Sequence, residues 1–196
     1  SNPLVIAGAG PTGVELACKL ADLVNNRVEV YLVDKGKKIL PKCKSFNRDR
    51  AIEAISDRNI KIYLEHHIKS INENDIELYT VDNEGNNFLQ INYSGLIWAA
   101  GLRPFRLPLV NNLLDANKKL KVNQFLQIDE YHNIFFLGDI AFCESYPSPA
   151  SAQVAMQQGH STAHNIIALR EGNQLKAFQF EDLGEMLSLG VGNASI

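Results

Sequence analysis

The stretch VIAGAGPTGVELACKLAD, residues 5–22, decides the fold. An apolar run ends in Gly8-Ala9-Gly10-Pro11-Thr12-Gly13, and Leu16, Ala17, Leu20, Leu23 and Val24 follow at helical spacing, so the segment reads strand, tight turn, helix. Asn25-Asn26 stops the helix. Val28, Val30 and Leu32 then alternate toward Asp34, which predicts a second strand and completes a βαβ unit. Glycines in such a turn let the backbone approach a pyrophosphate while the free N–H groups and dipole of the helix face its charge. Asp34 stands 21 residues beyond Gly13 at a strand end, where a carboxylate accepts hydrogen bonds from both adenosine-ribose hydroxyls. Gly8, Gly10, Thr12, Gly13 and Asp34 therefore read as a dinucleotide site. Asp34 would repel a 2′-phosphate and favours NADH; a basic cluster at Lys35, Lys37 and Lys38 can accommodate that phosphate and keeps NADPH as the alternative.

Outward from this unit, residues 35–44 are polar, Ser45 reads as the N-cap of a helix carrying Ile52 and Ile55, and IKIYL at 60–64 is a third strand. The periodicity then changes. IKSIN, DIELYT and FLQINY are short strand patterns separated by Asn/Asp/Gly turns with no helix between them, which predicts a three-stranded antiparallel meander. GLIWAAG at 95–101 reads as a buried strand ending in glycine, and Leu102-Arg103-Pro104, with another proline at 108, as an irregular exit with a domain boundary near 102–106. LQIDEYHNIFFLGD predicts a paired strand and then the apolar run Ile134–Leu137, ending at Gly138-Asp139. Ser148-Pro149 reads as N-cap and first turn of a helix running to about Arg170 and stopping before Gly172.

Composition excludes several classes. With 196 residues and 45% apolar residues the chain can bury a core, and a formal charge of −3 provides no basic field for nucleic acid. The longest apolar stretch, GLIWAAGL, is far short of the roughly 18 residues of a membrane span. No signal-peptide pattern precedes Pro3, and Cys18, Cys43 and Cys143 are too widely spaced for a CxxC motif, so a reducing, cytoplasmic setting is expected. His160 and His164 have metal-compatible spacing but no accompanying third ligand; no metal is expected.

GAGPTGVELA, the meander, WAAGLRP, NIFFLGDIA, PASAQVAMQQGHSTAHNI and FEDLGEMLSLG occur in an order that resembles the type II NADH dehydrogenases, two-dinucleotide flavoproteins that reduce quinones. The resemblance implies an α/β fold. Residues 1–102 would be an inserted NAD(H)-binding domain, a Rossmann-like parallel sheet with the β-meander, and 103–196 the C-terminal portion of an FAD-binding domain whose N-terminal half is not in the chain. It implies hydride transfer from NADH to FAD and then to a quinone. Asp139, with Gly138, would hold the ribityl chain of FAD, Ala155 and Met156 would lie beside the flavin ring, and the helix at 148–149 would aim its N–H groups at the ring. Gln153 would line the quinone site, Glu15 would stand near nicotinamide and quinone, and Gly101 would leave room for the nicotinamide. Peripheral membrane contact and a homodimer are compatible with the same resemblance. The alternatives are a soluble disulfide or ferredoxin reductase of the same superfamily and, for this chain alone, an NAD-binding module without activity.

Overall fold

In the computed structural model, which describes residues 1–25, 27–82, 85–102, 114 and 119–196, the opening stretch folds as β1 (Leu4–Ala7), α1 (Pro11–Val24) and β2 (Val30–Val33). α2 (Ser45–Ser56) and β3 (Lys61–Tyr63) follow, then the meander strands β4 (His67–Ile71), β5 (Asp75–Asp82) and β6 (Gly85–Asn92), and β7 (Gly95–Trp98). β1 pairs in parallel with β2 on one side and β7 on the other, giving a four-stranded sheet of order β3-β2-β1-β7. The strand order therefore reverses at β1, where open α/β sheets place their ligands. The turn after β1 carries the glycines.

The side chains of β1 and β2 alternate between two cores. Ile6 and Leu32 pack with Val14, Ala17 and Cys18 of α1 and Ala51 and Ile55 of α2, while Val5 and Val33 pack with Ile76, Leu78 and Ile91 of the meander. The expected meander is thus the second face of the parallel sheet, antiparallel in the order β4-β5-β6. On α1 the buried face runs through Val14, Ala17, Cys18 and Ala21, and Leu23 is exposed. Asn25 ends the helix in the left-handed region, with φ 48°.

Two local expectations are corrected here, and a third falls where it is not tested. Lys44, not Ser45, is the N-cap of α2, and the helix start has no side-chain cap bond from it. The strand at 95–101 is only half-buried: β7 lies at the sheet edge and Trp98 is 57% exposed. The exit at Arg103, Pro104 and Pro108 lies outside the described residues.

Contacts divide the chain into two units, Ser1–Gly101 with Gly184–Ile196, and Leu102–Leu183. In the second, β8 (Leu120–Val122) pairs in parallel with β11 (Ala141–Cys143), and β9 (Gln127–Ile128) with β10 (Tyr131–Phe135) in antiparallel. Val122, Leu126, Cys143, Val154 and Phe178 form its core, covered by α3 (Ala152–Glu171). The N-cap of α3 is Ser151, not Ser148. The helix starts three residues later than expected, where extended Ser151 accepts a bond from Val154 N at 3.3 Å. Gly172 closes the helix with φ 71°. β10 is largely exposed, and it leads to a 3-10 turn at Gly138–Ile140.

The last stretch of the chain, β12 (Leu187–Ser188) and β13 (Ala194–Ser195), forms an antiparallel hairpin in the first unit, burying Leu187 and Leu189 in the helix-side core.

Candidate dinucleotide-binding site

Each glycine of the turn meets a different demand. Gly8 has φ +112°, and a Cβ there would meet Ala99 O at 2.5 Å. Gly13 lets α1 sit against β1, since its Cβ would lie 1.8 Å from Gly8 O. Gly10 is the reverse case: nothing lies within 4 Å of an added Cβ, so the turn is open on the side where a phosphate would approach. Thr12 is exposed in the first turn of α1, and no acidic side chain occupies that turn.

Asp34 ends β2 and binds the turn directly. Its Oδ2 accepts from Ala9 N at 2.7 Å and its Oδ1 from Gly36 N at 2.6 Å. A carboxylate has about four lone-pair sites, so ribose hydroxyls can still be accepted. Lys35 is exposed beside it. Gly101, exposed and at φ +94°, donates to Ala99 O at 3.0 Å; an added Cβ would meet nothing within 4 Å. The residues Gly8, Gly10, Gly13 and Asp34 are thus brought together at the switch point, with the 99–101 exit alongside Gly8.

A family model described as "Pyridine nucleotide-disulphide oxidoreductase" matches residues 1–159. The chain belongs to this family. Within it, the chain is similar to the type II NADH:quinone oxidoreductase of Staphylococcus aureus strain NCTC 8325, at 32% identity over 203 aligned residues, covering 95% of this chain and 49% of the relative; the protein of strain COL matches equally. The chain spans about half the length of the curated relatives it matches. Its fold is that of NDH2 from Plasmodium falciparum, solved in complex with NADH (TM-score 0.82, 17% identity, 97% of this chain and 56% of that one) and with RYL-552 (TM-score 0.85, with the same identity and coverage). The resemblance read from the sequence motifs is borne out.

The remaining candidates of this family member fall in both units. Glu15, half-buried on α1, accepts from Ser188 N at 2.8 Å. In the second unit Gly138 has φ +72° and its N–H donates to Gln158 Oε1 at 2.6 Å; an added Cβ would lie 3.5 Å from Ala155 Cβ. Gln158, 5% exposed, therefore fixes the turn that presents the exposed Asp139. Met156 is 76% exposed. Gln153 accepts from Leu183 N at 3.3 Å through Oε1. Sequence reasoning missed Gln158 and Gln157, whose only signal was their place in AQVAMQQG.

The thiols of Cys18 and Cys43 are poor nucleophiles. Burial pushes Cys18 up to about 11, and burial followed by the nearby Glu185 and Glu15 raises Cys43. Among the described residues, no group of three or more His, Cys, Asp or Glu is placed to hold a metal ion, and no helix is long and apolar enough to cross a membrane. His164 Nδ1 lies 2.9 Å from His160 O, a bond within α3.

Proposed function

We propose that the chain is the NADH-binding part, with a portion of the FAD site, of an NADH:quinone oxidoreductase. The observation that carries this reading is the glycine turn: crowded at Gly8 and Gly13, open at Gly10, and tied to the strand-end carboxylate of Asp34. The pyrophosphate would receive the N–H groups at the start of α1, and Asp34 would take the ribose hydroxyls and disfavour a 2′-phosphate. The residues fit NADH, with Lys35 at the adenosine end and Gly101 leaving room for the nicotinamide.

Bound FAD supplies the two-electron relay between NADH and quinone. The residues of the second unit fit it: Asp139, displayed by the Gly138 turn, would hold the ribityl hydroxyls, Ala155 and Met156 would border the ring, and the N-terminus of α3 would stabilise negative charge there. Gln153, with Oε1 taken by Leu183, keeps its Nε2 as a donor for a quinone carbonyl. Glu15 would stand near the nicotinamide and the quinone, whose reduction consumes protons. On this reading Ser1–Gly101 with Gly184–Ile196 is the nucleotide unit and Leu102–Leu183 belongs to the flavin domain. The whole protein would meet its quinone at a membrane surface.

The test is titration of the chain with NADH and NADPH, followed by NADH oxidation against a quinone panel in the full-length protein. Saturable NADH binding, tighter than NADPH, is expected; no binding of either rejects the reading.

A further inference from the structure

α2 has no cap of its own, and its N-terminus is served from the far end of the chain. Glu185 Oε2 accepts from Lys44 N at 3.0 Å and from Asn47 Nδ2 at 3.2 Å, placing a carboxylate where the helix dipole favours one. Asn47, 3% exposed, in turn accepts from Ser195 Oγ at 2.6 Å. The hairpin is therefore tied to α2 at both of its ends.

The next residue continues toward the glycine turn. Arg48 donates to Cys43 O at 2.8 Å and to Leu40 O at 3.4 Å. Leu40 is fully buried with φ +47°, a backbone conformation that costs about 1–2 kcal/mol outside glycine and must be held by its surroundings. It is held on both sides: its carbonyl accepts from Cys43 N at 3.1 Å as well as from Arg48, which also binds Cys43 O, and its N–H donates to Ala9 O at 2.8 Å. Ala9 N then donates to Asp34. An unbroken series of hydrogen bonds and one helical turn thus runs from Glu185 to the centre of GAGPTG.

We propose that Glu185 is a positioning residue for dinucleotide binding: by capping α2 it fixes Arg48, which holds Leu40 against Ala9 and so sets the backbone of the glycine turn. This rests on the reading that the turn receives NADH. Glu185 need not touch the coenzyme. Its effect passes through backbone bonds, so what matters is an acceptor oxygen at its position.

The test compares NADH binding by the 196-residue chain carrying Glu185→Ala, Glu185→Gln or, as a control on the same helix, the exposed Glu53→Ala. Glu185→Ala should weaken NADH binding about three- to tenfold, and Glu185→Gln, which retains an acceptor, should stay within about twofold of the parent, as should Glu53→Ala. Arg48→Met keeps the apolar stem and removes the middle of the series; it should reproduce the loss and serves if Glu185→Ala does not fold. Unchanged NADH affinity in Glu185→Ala or Arg48→Met, or a Gln variant as weak as the Ala variant, overturns the proposal. If the parent chain itself binds no NADH, the failure lies with the reading of the turn, and the proposal falls with it.

Discussion

A β-carbon on Gly13 would sit 1.8 Å from the carbonyl oxygen of Gly8, whereas one on Gly10, three residues earlier, would touch nothing. The same motif therefore holds one glycine for packing and another for access. Gly13→Ala should destabilise the chain by about 3 kcal/mol or more, because backbone must move to admit the methyl group. Gly10→Ala should cost only about 1 kcal/mol of stability, the N-cap advantage of glycine over alanine, since its φ of −77° suits alanine, yet weaken NADH binding at least about tenfold. Thermal melts read the first effect and NADH titration the second.

Asp34 has a double duty that a single substitution can separate. Asparagine keeps one acceptor oxygen and so retains one of the bonds from Ala9 N and Gly36 N, while the charge is lost. Asp34→Asn should weaken NADH by about 1–3 kcal/mol and narrow the gap to NADPH, as repulsion of the 2′-phosphate disappears. The ratio of the two dissociation constants is the measurement.

The hairpin should loosen in acid. Asp22 on α1 accepts from Arg58 Nε at 2.7 Å, from Arg58 Nη2 at 3.1 Å and from Val191 N at 2.6 Å. Chiefly through the Arg58 bond, its carboxyl is held below the usual carboxylate range. A depressed folded pKa adds stability that is fully present above the unfolded value, near 4, and is lost as pH falls through the folded one. Asp22→Asn should therefore cost about 1–3 kcal/mol at pH 7 and progressively less in strong acid, where the two melting curves converge.

Gly190 makes the same contact from the other side. With φ +112° and a Cβ path that meets Asp22 Oδ2 at 2.3 Å and Arg58 Nη2 at 2.4 Å, Gly190→Ala should free the hairpin. Faster proteolysis after residue 183 checks this, with a loss of about 2 kcal/mol in global stability.

In the second unit, Gln158→Leu removes the acceptor for Gly138 N and leaves that N–H without its partner. A cost of about 1–3 kcal/mol is expected, together with faster amide exchange at Gly138 and weaker FAD binding in the full-length protein.

The βαβ unit and the meander were legible because their signals are local: glycine spacing, period-2 alternation and Asn/Asp/Gly turns within a few residues. Caps were harder. Ser45 and Ser148 have the right chemistry for N-caps, but one stands inside its helix and the other three residues before the serine that caps. No local pattern could reveal Glu185 as the cap of a helix 141 residues away. Gln158 was illegible for a similar reason: a buried glutamine differs from an exposed one only by its partner, which lies 20 residues back in the chain. Burial of β7 was over-read because an apolar run does not distinguish an edge strand from a central one.

Along α3 the side-chain amides behave as a sheet edge. Gln157 donates to Glu181 O at 2.8 Å and accepts from Glu181 N at 2.9 Å, Asn165 does the same with Lys176, each at 2.9 Å, and Gln153 receives Leu183 N. At Lys176, Glu181 and Leu183 the extended segment is held through its main chain, while Phe178 between them enters the core. Mutational tolerance should therefore be lopsided: Lys176 and Glu181 can be exchanged for almost any residue that keeps an N–H, whereas Gln157 and Asn165 cannot be shortened or made apolar. Proline is the one change the segment itself should refuse at these positions.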